Sequence, residues 1–264
     1  MISDDQGFHS VMHFLFQNYK IKSEFKSELR EFFRNLFCLI TKYSDRIDIG
    51  TTNYDLAVET FCNSKGSGYR LVDGFEFDTT YIWRPEVFQQ NNVGEKCVYL
   101  YKIHGSLDCT GQNTSITKDD MPTYRESGGS SANTIIAPTL SPKDAYDKKP
   151  FSTLLNLYGE KLLDSHVCIV IGFSFRDSDV SNYFKTFVEK GKHLIIISPS
   201  CHRNYVTNLF KLKDEGNEAE MKDIANTHGH SSGRNVTFID YGCGKEKNQE
   251  IFDKINNVVS ATQS

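Results

Sequence analysis

The chain has 264 residues and a formal net charge of −4, with 38% hydrophobic and 24% charged residues. This length suffices for one large α/β domain or two small ones, and the composition is that of an ordinary soluble globular protein. The charge gives no attraction to nucleic acid or anionic lipid, so we predict neither nucleic acid nor membrane as a direct partner. No apolar run approaches the roughly 20 residues that span a bilayer, and the first residues are acidic where a signal peptide is basic. We therefore predict a cytoplasmic protein.

The cysteine and histidine spacing gives no sign of a metal site. Seven cysteines are scattered and never form a Cys-x-x-Cys pair, so we expect no disulfide framework. His228-Gly229-His230 is at most half of a metal site, because no cysteine or carboxylate stands near it at ligand spacing. A surface loop is the favoured interpretation of that segment, and we predict no bound metal.

The first half of the chain alternates short apolar runs with amphipathic segments. Its predicted elements are a helix over 24–43, a strand over 46–50, a helix over about 54–61 and a strand over 98–103. The aromatic-rich section 74–83 predicts a hairpin or an extended cover, and the polar stretch 109–133 predicts a long loop. Residues 62–97 and 109–150 are therefore predicted to be insertions that cover the site.

The second half has a more regular rhythm. Its predicted elements are a helix over 151–163, a strand over 167–171, a helix over 179–190, a strand over 194–197, one or two helices over 203–226, a strand over 235–240 and a helix over 248–259. Asp177 or Ser178 is suited to cap the helix at 179. Strands that alternate with helices predict the α/β class, here a Rossmann-like parallel sheet with helices on both faces, in a single domain over 1–264.

Two polar side chains stand directly after predicted strands. Asn53 follows the strand 46–50, and His104 follows the strand over 98–103. Ligands of open parallel sheets bind at the carboxyl ends of the strands, so these two exits predict an active-site floor. An alternative is turn chemistry, in which Asp55 caps the following helix and His104 is a loop histidine satisfied by backbone.

Three segments, taken together and in this order, resemble the sirtuin-like superfamily of NAD-consuming enzymes. They are Thr51-Thr52-Asn53-Tyr54-Asp55, Lys102-Ile103-His104-Gly105-Ser106-Leu107 and Ile171-Gly172-Phe173-Ser174-Phe175. The Gly-Phe-Ser-Phe form looks most like the bacterial branch whose members hydrolyse NAD in antiviral defence. The resemblance covers roughly residues 25–260, so the single predicted domain would be a sirtuin-like NAD-binding domain.

The resemblance implies NAD as the substrate, no metal, and a set of site residues. The implied catalytic residues are Asn53, His104 and Asp55, and the implied cofactor-binding residues are Thr51, Thr52, Gly105, Gly172, Phe173, Ser174 and Ser198. The implied activity is an NAD glycohydrolase that yields ADP-ribose and nicotinamide. The alternatives are a non-catalytic nucleotide-binding or assembly subunit and an NAD-dependent deacylase or ADP-ribosyltransferase. Because such effectors are usually held inactive, the resemblance also implies a homo-oligomer or a regulatory domain or partner.

The chemistry of NAD cleavage agrees with these residue types. Nicotinamide leaves as a neutral base from a cationic precursor, so the site needs chiefly to hold the ribose and present a nucleophile to C1′, as in glycoside hydrolysis. An amide both donates and accepts, so Asn53 can hold a water and a ribose hydroxyl together. A histidine titrates near neutral pH, so His104 can take a proton from that water or hydroxyl.

The chain departs from the superfamily in two respects. Members open with a strand and a Gly-Ala-Gly-type loop that cradles the pyrophosphate, and the Gly-x-Gly pairs of this chain, Gly66/Gly68 and Gly242/Gly244, lack a third glycine and do not open a helix after a strand. We therefore expect the N-terminal phosphate-loop strand to be missing, either through truncation of a longer protein or through loss of the loop, and truncation is the favoured alternative because the rest of the pattern is intact. The four-cysteine zinc module of protein-deacylating sirtuins is also missing, which favours a hydrolase over a deacylase.

Overall fold

The structure is a computed structural model that describes residues 23–90, 94–112, 115–118, 133–136, 146, 149–231, 235–240 and 248–262. The chain divides into two compact units, Met1–Tyr158 and Gly159–Ser264. Parallel sheets flanked by helices confirm the predicted α/β, Rossmann-like class. The single domain over 1–264 stays a prediction, and the expected loss of a phosphate-loop strand falls on a terminus outside the described residues.

The first unit contains both strands that precede the candidate catalytic residues. Its elements are α1 Ser23–Ile40, β1 Arg46–Thr51, α2 Ala57–Cys62, β2 Arg70–Val72, β3 Phe75–Phe77, β4 Tyr81–Trp83, a 3₁₀ turn Pro85–Gln89, β5 Cys97–Lys102, β6 Gly105–Gln112, β7 Ser115–Lys118 and β8 Asn133–Ile135. The helix predicted over 24–43 and the strands predicted over 46–50 and 98–103 are confirmed. The helix predicted from 54 begins at Ala57 with Leu56 as its N-cap, and the Asp55 side chain accepts a hydrogen bond from the Ala57 N–H (2.9 Å) in the turn before it.

The parallel sheet of this unit has the strand order β1-β5-β2. All six residues of the central strand β5 are buried, as expected for a parallel strand covered on both faces. In its register with β1, Thr51 pairs with Lys102 at the carboxyl end of both strands. The chain segments that leave β1 and β5 therefore begin side by side.

The unit also contains an antiparallel sheet of order β3-β4-β7-β6-β8. The hairpin predicted over 74–83 is confirmed by the pairing of β3 with β4. The loop predicted over 109–133 is wrong at 109–112 and 115–118, where β6 pairs with β7. Their polar residues fit a sheet because they pair across it, as Thr110 Oγ1 does with Thr117 Oγ1 at 3.3 Å. Residues 119–132 lie outside the described part, and the covering role of 62–97 and 109–150 stays a prediction.

The chain passes into the second unit within α3 Phe151–Asp164. The unit continues with β9 Val167–Ile171, α4 Ser178–Glu189, β10 His193–Ile197, α5 Cys201–Arg203, a π-helical segment Asn204–Leu209, α6 Glu218–Ser231, β11 Val236–Ile239 and α7 Asn248–Ala261. Its parallel sheet has the order β11-β10-β9, and Leu194, Ile195 and Ile196 of the central strand are fully buried. The alternation of helices and strands predicted for this half is confirmed.

Two local predictions in this unit have different outcomes. Asp177 caps α4 as predicted, because its carboxylate accepts from the N–H groups of Asp179 (3.1 Å) and Val180 (3.3 Å). The surface loop predicted at 228–230 is wrong, since these residues belong to α6. His228 Nδ1 lies 2.9 Å from the hydroxyl of the buried Tyr205, so its packing partner is an aromatic side chain.

We expect the second unit to lose stability in acid through two histidines. Burial lowers the pKa of His193 and of His202 below the ordinary value of 6.5. The unfolded chain therefore binds these protons first, and the free energy of unfolding should fall as the pH drops below about 6.5. His202 stacks on Phe238 with ring centroids 4.6 Å apart, so His202→Phe keeps an aromatic ring without the proton.

The measurement for this prediction is the unfolding free energy at pH 7.5 and pH 5.5. The His202→Phe variant should lose less stability than the wild-type protein over this interval. An equal loss in both proteins would show that His202 contributes nothing to the acid sensitivity.

Within the described residues, no helix has both the length and the apolar composition that crossing a bilayer would require.

Candidate functional site

The turn after β1 presents Asn53 to solvent. Thr51 is the last residue of β1, and its Oγ1 accepts a hydrogen bond from the backbone N–H of Asn53 (3.1 Å). Thr52, between them, is half-buried, whereas the Asn53 side chain is exposed. The Thr51 hydroxyl thus fixes the backbone from which the Asn53 amide projects.

The next two residues of this turn are held by their side chains. The Tyr54 hydroxyl donates to the carbonyl oxygen of Ile136 (2.5 Å), and burial raises its pKa to about 12. Asp55 Oδ1 accepts from Ala57 N in the turn before α2, whereas the N-cap of α2 is Leu56, so the contact is structural without being the helix cap of the alternative interpretation. A structural role of Asp55 is therefore observed, and its catalytic role stays a prediction.

The turn after β5 lies directly against the turn after β1. The backbone N–H of Ile103 donates to the Thr51 carbonyl (2.9 Å), and that of Leu107 donates to the Tyr54 carbonyl (3.2 Å). These two bonds flank His104, so its segment and that of Asn53 are joined at one edge of the sheet. The sequence predicted this meeting from the strand ends alone.

His104 is half-buried and has an aromatic neighbour that the sequence did not indicate. Its Nε2 lies 2.6 Å from the hydroxyl of Tyr146, with ring centroids 5.9 Å apart. A phenol hydroxyl can donate or accept, so this contact fits either tautomer of the imidazole. Tyr146 belongs to a stretch with no strand or helix periodicity, and no signal in a single sequence would have found it.

Gly105 must be glycine for reasons of packing. Its φ is +88°, in the left-handed region that favours glycine, and a Cβ there would lie 2.0 Å from the backbone carbonyl oxygen of Thr134. The N–H of Ile136, the residue after β8, donates to the His104 carbonyl (2.8 Å). The end of β8 therefore packs directly against this turn. The predicted cofactor contact of Gly105 stays a prediction.

A buried charge cluster lies beneath the two turns, and sequence reasoning missed it. Its members, Glu59, Asp73, Lys102, Asp108 and Lys118, border a cavity of about 30 Å³. Lys118 Nζ lies 2.5 Å from Asp73 and 3.4 Å from Asp108, whereas Lys102 Nζ lies 3.4 Å from Glu59. These residues are distant in sequence, and only the approach of α2, β5 and the antiparallel sheet brings them together.

In the second unit, Gly172 begins the loop after β9. Its N–H donates to the Ile197 carbonyl (3.0 Å), its φ is +69°, and a Cβ there would meet no atom within 4 Å. Phe173 and Ser174 are half-buried, and the Ser174 carbonyl accepts from Asn208 Nδ2 (2.7 Å). The open space above Gly172 is compatible with a close approach of a ligand to the backbone.

This loop contains a strained residue. Phe175 has a φ of +58° and is buried to 1% exposure, an outlier for a bulky side chain. Such conformations persist only where the surroundings enforce them, and they collect at functional sites. Its ring packs edge-to-face on Phe173 at 5.2 Å, so the strain is held by the aromatic packing of the loop itself.

Ser198 stands at the end of β10, next to the loop after β9. It is buried, and its Oγ accepts from the N–H of Ser200 (3.2 Å) at the start of α5. The predicted cofactor-binding residues of this unit therefore share the carboxyl edge of one parallel sheet. Thr51, Thr52, Asn53, Asp55, His104 and Gly105 share the corresponding edge of the sheet in the first unit.

Among the described residues, no group of three or more histidine, cysteine, aspartate or glutamate side chains is arranged to hold a metal ion. The thiols of Cys62, Cys168 and Cys201 are buried, and burial raises the pKa of each to about 12. They are thereby disfavoured as thiolate nucleophiles.

Comparison with known proteins identifies the family of the chain. The search of curated proteins finds no match. The sequence model of one protein family, described as the SIR2-like domain, matches residues 48–224 and so contains every predicted site residue. This match spans well over half of the chain, and the protein therefore belongs to the SIR2-like domain family.

Proposed function

We propose that the protein is an NAD glycohydrolase that cleaves the nicotinamide–ribose bond. SIR2-like domains use NAD, which supplies the substrate class. The observation that carries the proposal is the joining of the two strand exits, where an exposed amide (Asn53) and a half-buried imidazole (His104) project from turns bonded to each other. An amide and an imidazole at one sheet edge are sufficient for a reaction whose leaving group needs little acid assistance.

Asn53 is proposed to hold the attacking water and a ribose hydroxyl. Its amide offers a donor and an acceptor, and the Thr51 hydroxyl fixes the backbone that carries it. The side chain is exposed, so it is accessible to a substrate. Holding both groups at once converts a bimolecular attack into a positioned one.

His104 is proposed to accept the proton that the reaction releases. The bond between C1′ and the nicotinamide nitrogen breaks with its electron pair on nicotinamide, and the water oxygen forms the new bond to C1′. One proton of that water passes to the imidazole and then to solvent. The Tyr146 hydroxyl at 2.6 Å orients the ring, and a substrate hydroxyl would share or replace this contact.

The remaining parts of the proposal rest on resemblance. Asp55 is proposed to support Asn53, in addition to its hydrogen bond with the Ala57 N–H. The Gly172-Phe173-Ser174-Phe175 form supports a role as a gated effector of antiviral defence, in an oligomer or with a regulatory partner. Gly172, Phe173, Ser174 and Ser198 are proposed nucleotide contacts of their own unit.

The test is to incubate NAD with the protein and to quantify nicotinamide and ADP-ribose. A hydrolase should release the two products in a ratio of one to one, without any added peptide. Release of nicotinamide only with an acylated or acceptor peptide would replace hydrolysis by transfer chemistry. Binding of NAD without turnover would favour the nucleotide-binding or assembly subunit.

A further inference from the structure

The ammonium of Lys102 reaches from β5 to the turn that carries Asn53. Lys102 is the last residue of β5 and is exposed to only 8%. Its Nζ donates a hydrogen bond to the backbone carbonyl of Asp55, two residues after Asn53. The side chain at the end of β5 is therefore bonded to the backbone of the turn that follows β1.

Glu59 holds the same ammonium from the other side. It lies on α2, is exposed to only 6%, and its Oε1 is 3.4 Å from Lys102 Nζ. Burial raises the pKa of Glu59, which the nearby Lys102 counteracts. A buried ion pair of this kind contributes little net stability compared with apolar residues of similar volume, so its presence calls for another explanation.

Neutral groups hold the turn over 51–56 at its beginning and middle. The Thr51 hydroxyl accepts from the Asn53 N–H, the Leu107 N–H donates to the Tyr54 carbonyl, and the Tyr54 hydroxyl donates to the Ile136 carbonyl. Lys102 adds a charged donor at the Asp55 carbonyl, between Asn53 and α2. The backbone that carries Asn53 is therefore held by a buried ammonium in addition to these neutral contacts.

We propose that Lys102, held by Glu59, is a positioning residue that fixes the Asn53 turn for NAD cleavage. This inference rests on the proposed function for its kinetic consequence, but its structural consequence can be measured without NAD. A shift of about 1 Å in a positioning group is sufficient to cost roughly 100-fold in rate. The expected effect is therefore on kcat more than on KM.

The test uses the double variant Lys102→Met/Glu59→Met. It removes both charges together, so no unpaired charge is left buried and the fold should persist. We expect kcat per folded molecule to fall about 10- to 100-fold, with KM changed by less than about threefold. Amide hydrogen exchange of residues 52–57 without NAD should become at least tenfold faster.

A control variant removes the other ammonium of the buried charge cluster together with both of its carboxylate partners. Lys118→Met/Asp73→Met/Asp108→Asn leaves no unpaired charge of this group, and none of the three residues bonds to the 51–56 turn. Amide exchange at 52–57 and kcat per folded molecule of this variant should stay within about threefold of wild type. Equal losses in the control and in Lys102→Met/Glu59→Met would overturn the proposal, because the effect would then belong to the whole cluster.

Other outcomes also decide the question. If residues 52–57 of Lys102→Met/Glu59→Met exchange their amide hydrogens at the wild-type rate, the positioning role is overturned, whatever the activity of the variant. If that variant does not fold, the conservative pair Lys102→Gln/Glu59→Gln serves instead, since it also removes the ammonium from the Asp55 carbonyl and leaves no buried charge behind. Exchange at 52–57 should again become faster, and wild-type exchange rates there would overturn the proposal. Failure of the wild-type protein to release nicotinamide would contradict the proposed function, and the exchange result would still decide the positioning role.

Discussion

Replacement of His104 by alanine is expected to lower the rate of nicotinamide release by about 10²- to 10⁴-fold, the usual contribution of a positioned acid–base group. The loss should appear in kcat, because the imidazole acts on the reacting water or hydroxyl. His104→Ala also removes a contact of the Tyr146 hydroxyl, at 2.6 Å, so the folded fraction must be measured in parallel. The measurement is single-turnover release of nicotinamide from NAD, normalised to folded protein.

His166 provides the matched control for this prediction. It is an exposed histidine of the second unit that directly precedes β9, and His166→Ala should keep the wild-type rate. Asn63, exposed at the end of α2, serves in the same way for Asn53→Ala. Wild-type turnover by His104→Ala would contradict the assigned role of the imidazole.

The second large effect is expected on stability, from Gly105→Ala. The left-handed backbone (φ +88°) costs about 1–2 kcal/mol for a residue with a Cβ, and the overlap with the Thr134 carbonyl adds about 1–3 kcal/mol. A total near 3 kcal/mol corresponds to a fall in Tm on the order of 10 °C. Thermal unfolding followed by circular dichroism measures it.

Gly172→Ala separates backbone strain from steric overlap. Gly172 has the same sign of φ (+69°) but open space where a Cβ would project, so only the strain of about 1–2 kcal/mol applies. A new methyl group there should instead raise the KM for NAD if this loop approaches the nucleotide. Equal destabilisation by the two substitutions would show that the Thr134 carbonyl does not confine Gly105.

Much of the frame of the site followed from sequence. The apolar runs before Asn53 and His104 predicted two strands, and parallel pairing of these strands forces their exits to one edge. The cap of α4 by Asp177 followed from the ordinary preference of helix N-termini for short acidic side chains. Each of these predictions depends on local pattern and on a general rule of sheet geometry.

The remainder depended on contacts between distant residues. The sequence predicted a loop at Thr110 and Thr117, because their segment is polar. In the structure the two hydroxyl groups pair with each other across neighbouring strands. Tyr146 meets His104 from a stretch without periodicity. In the sequence Lys102 is only a polar residue near the end of a predicted strand. In the structure its ammonium is buried against Glu59 and the Asp55 carbonyl. No local pattern in a single sequence predicts such contacts between residues that are distant along the chain.

The central claim is that the Asn53 and His104 turns form one NAD-cleaving unit. A double-mutant cycle of Asn53→Ala and His104→Ala, with nicotinamide release as the readout, tests it most directly. We predict that wild type releases nicotinamide and that the double variant is no slower than the more impaired single variant, because residues that act as a unit are not additive. Wild-type turnover in the double variant, or full multiplication of the two single losses, would contradict the account.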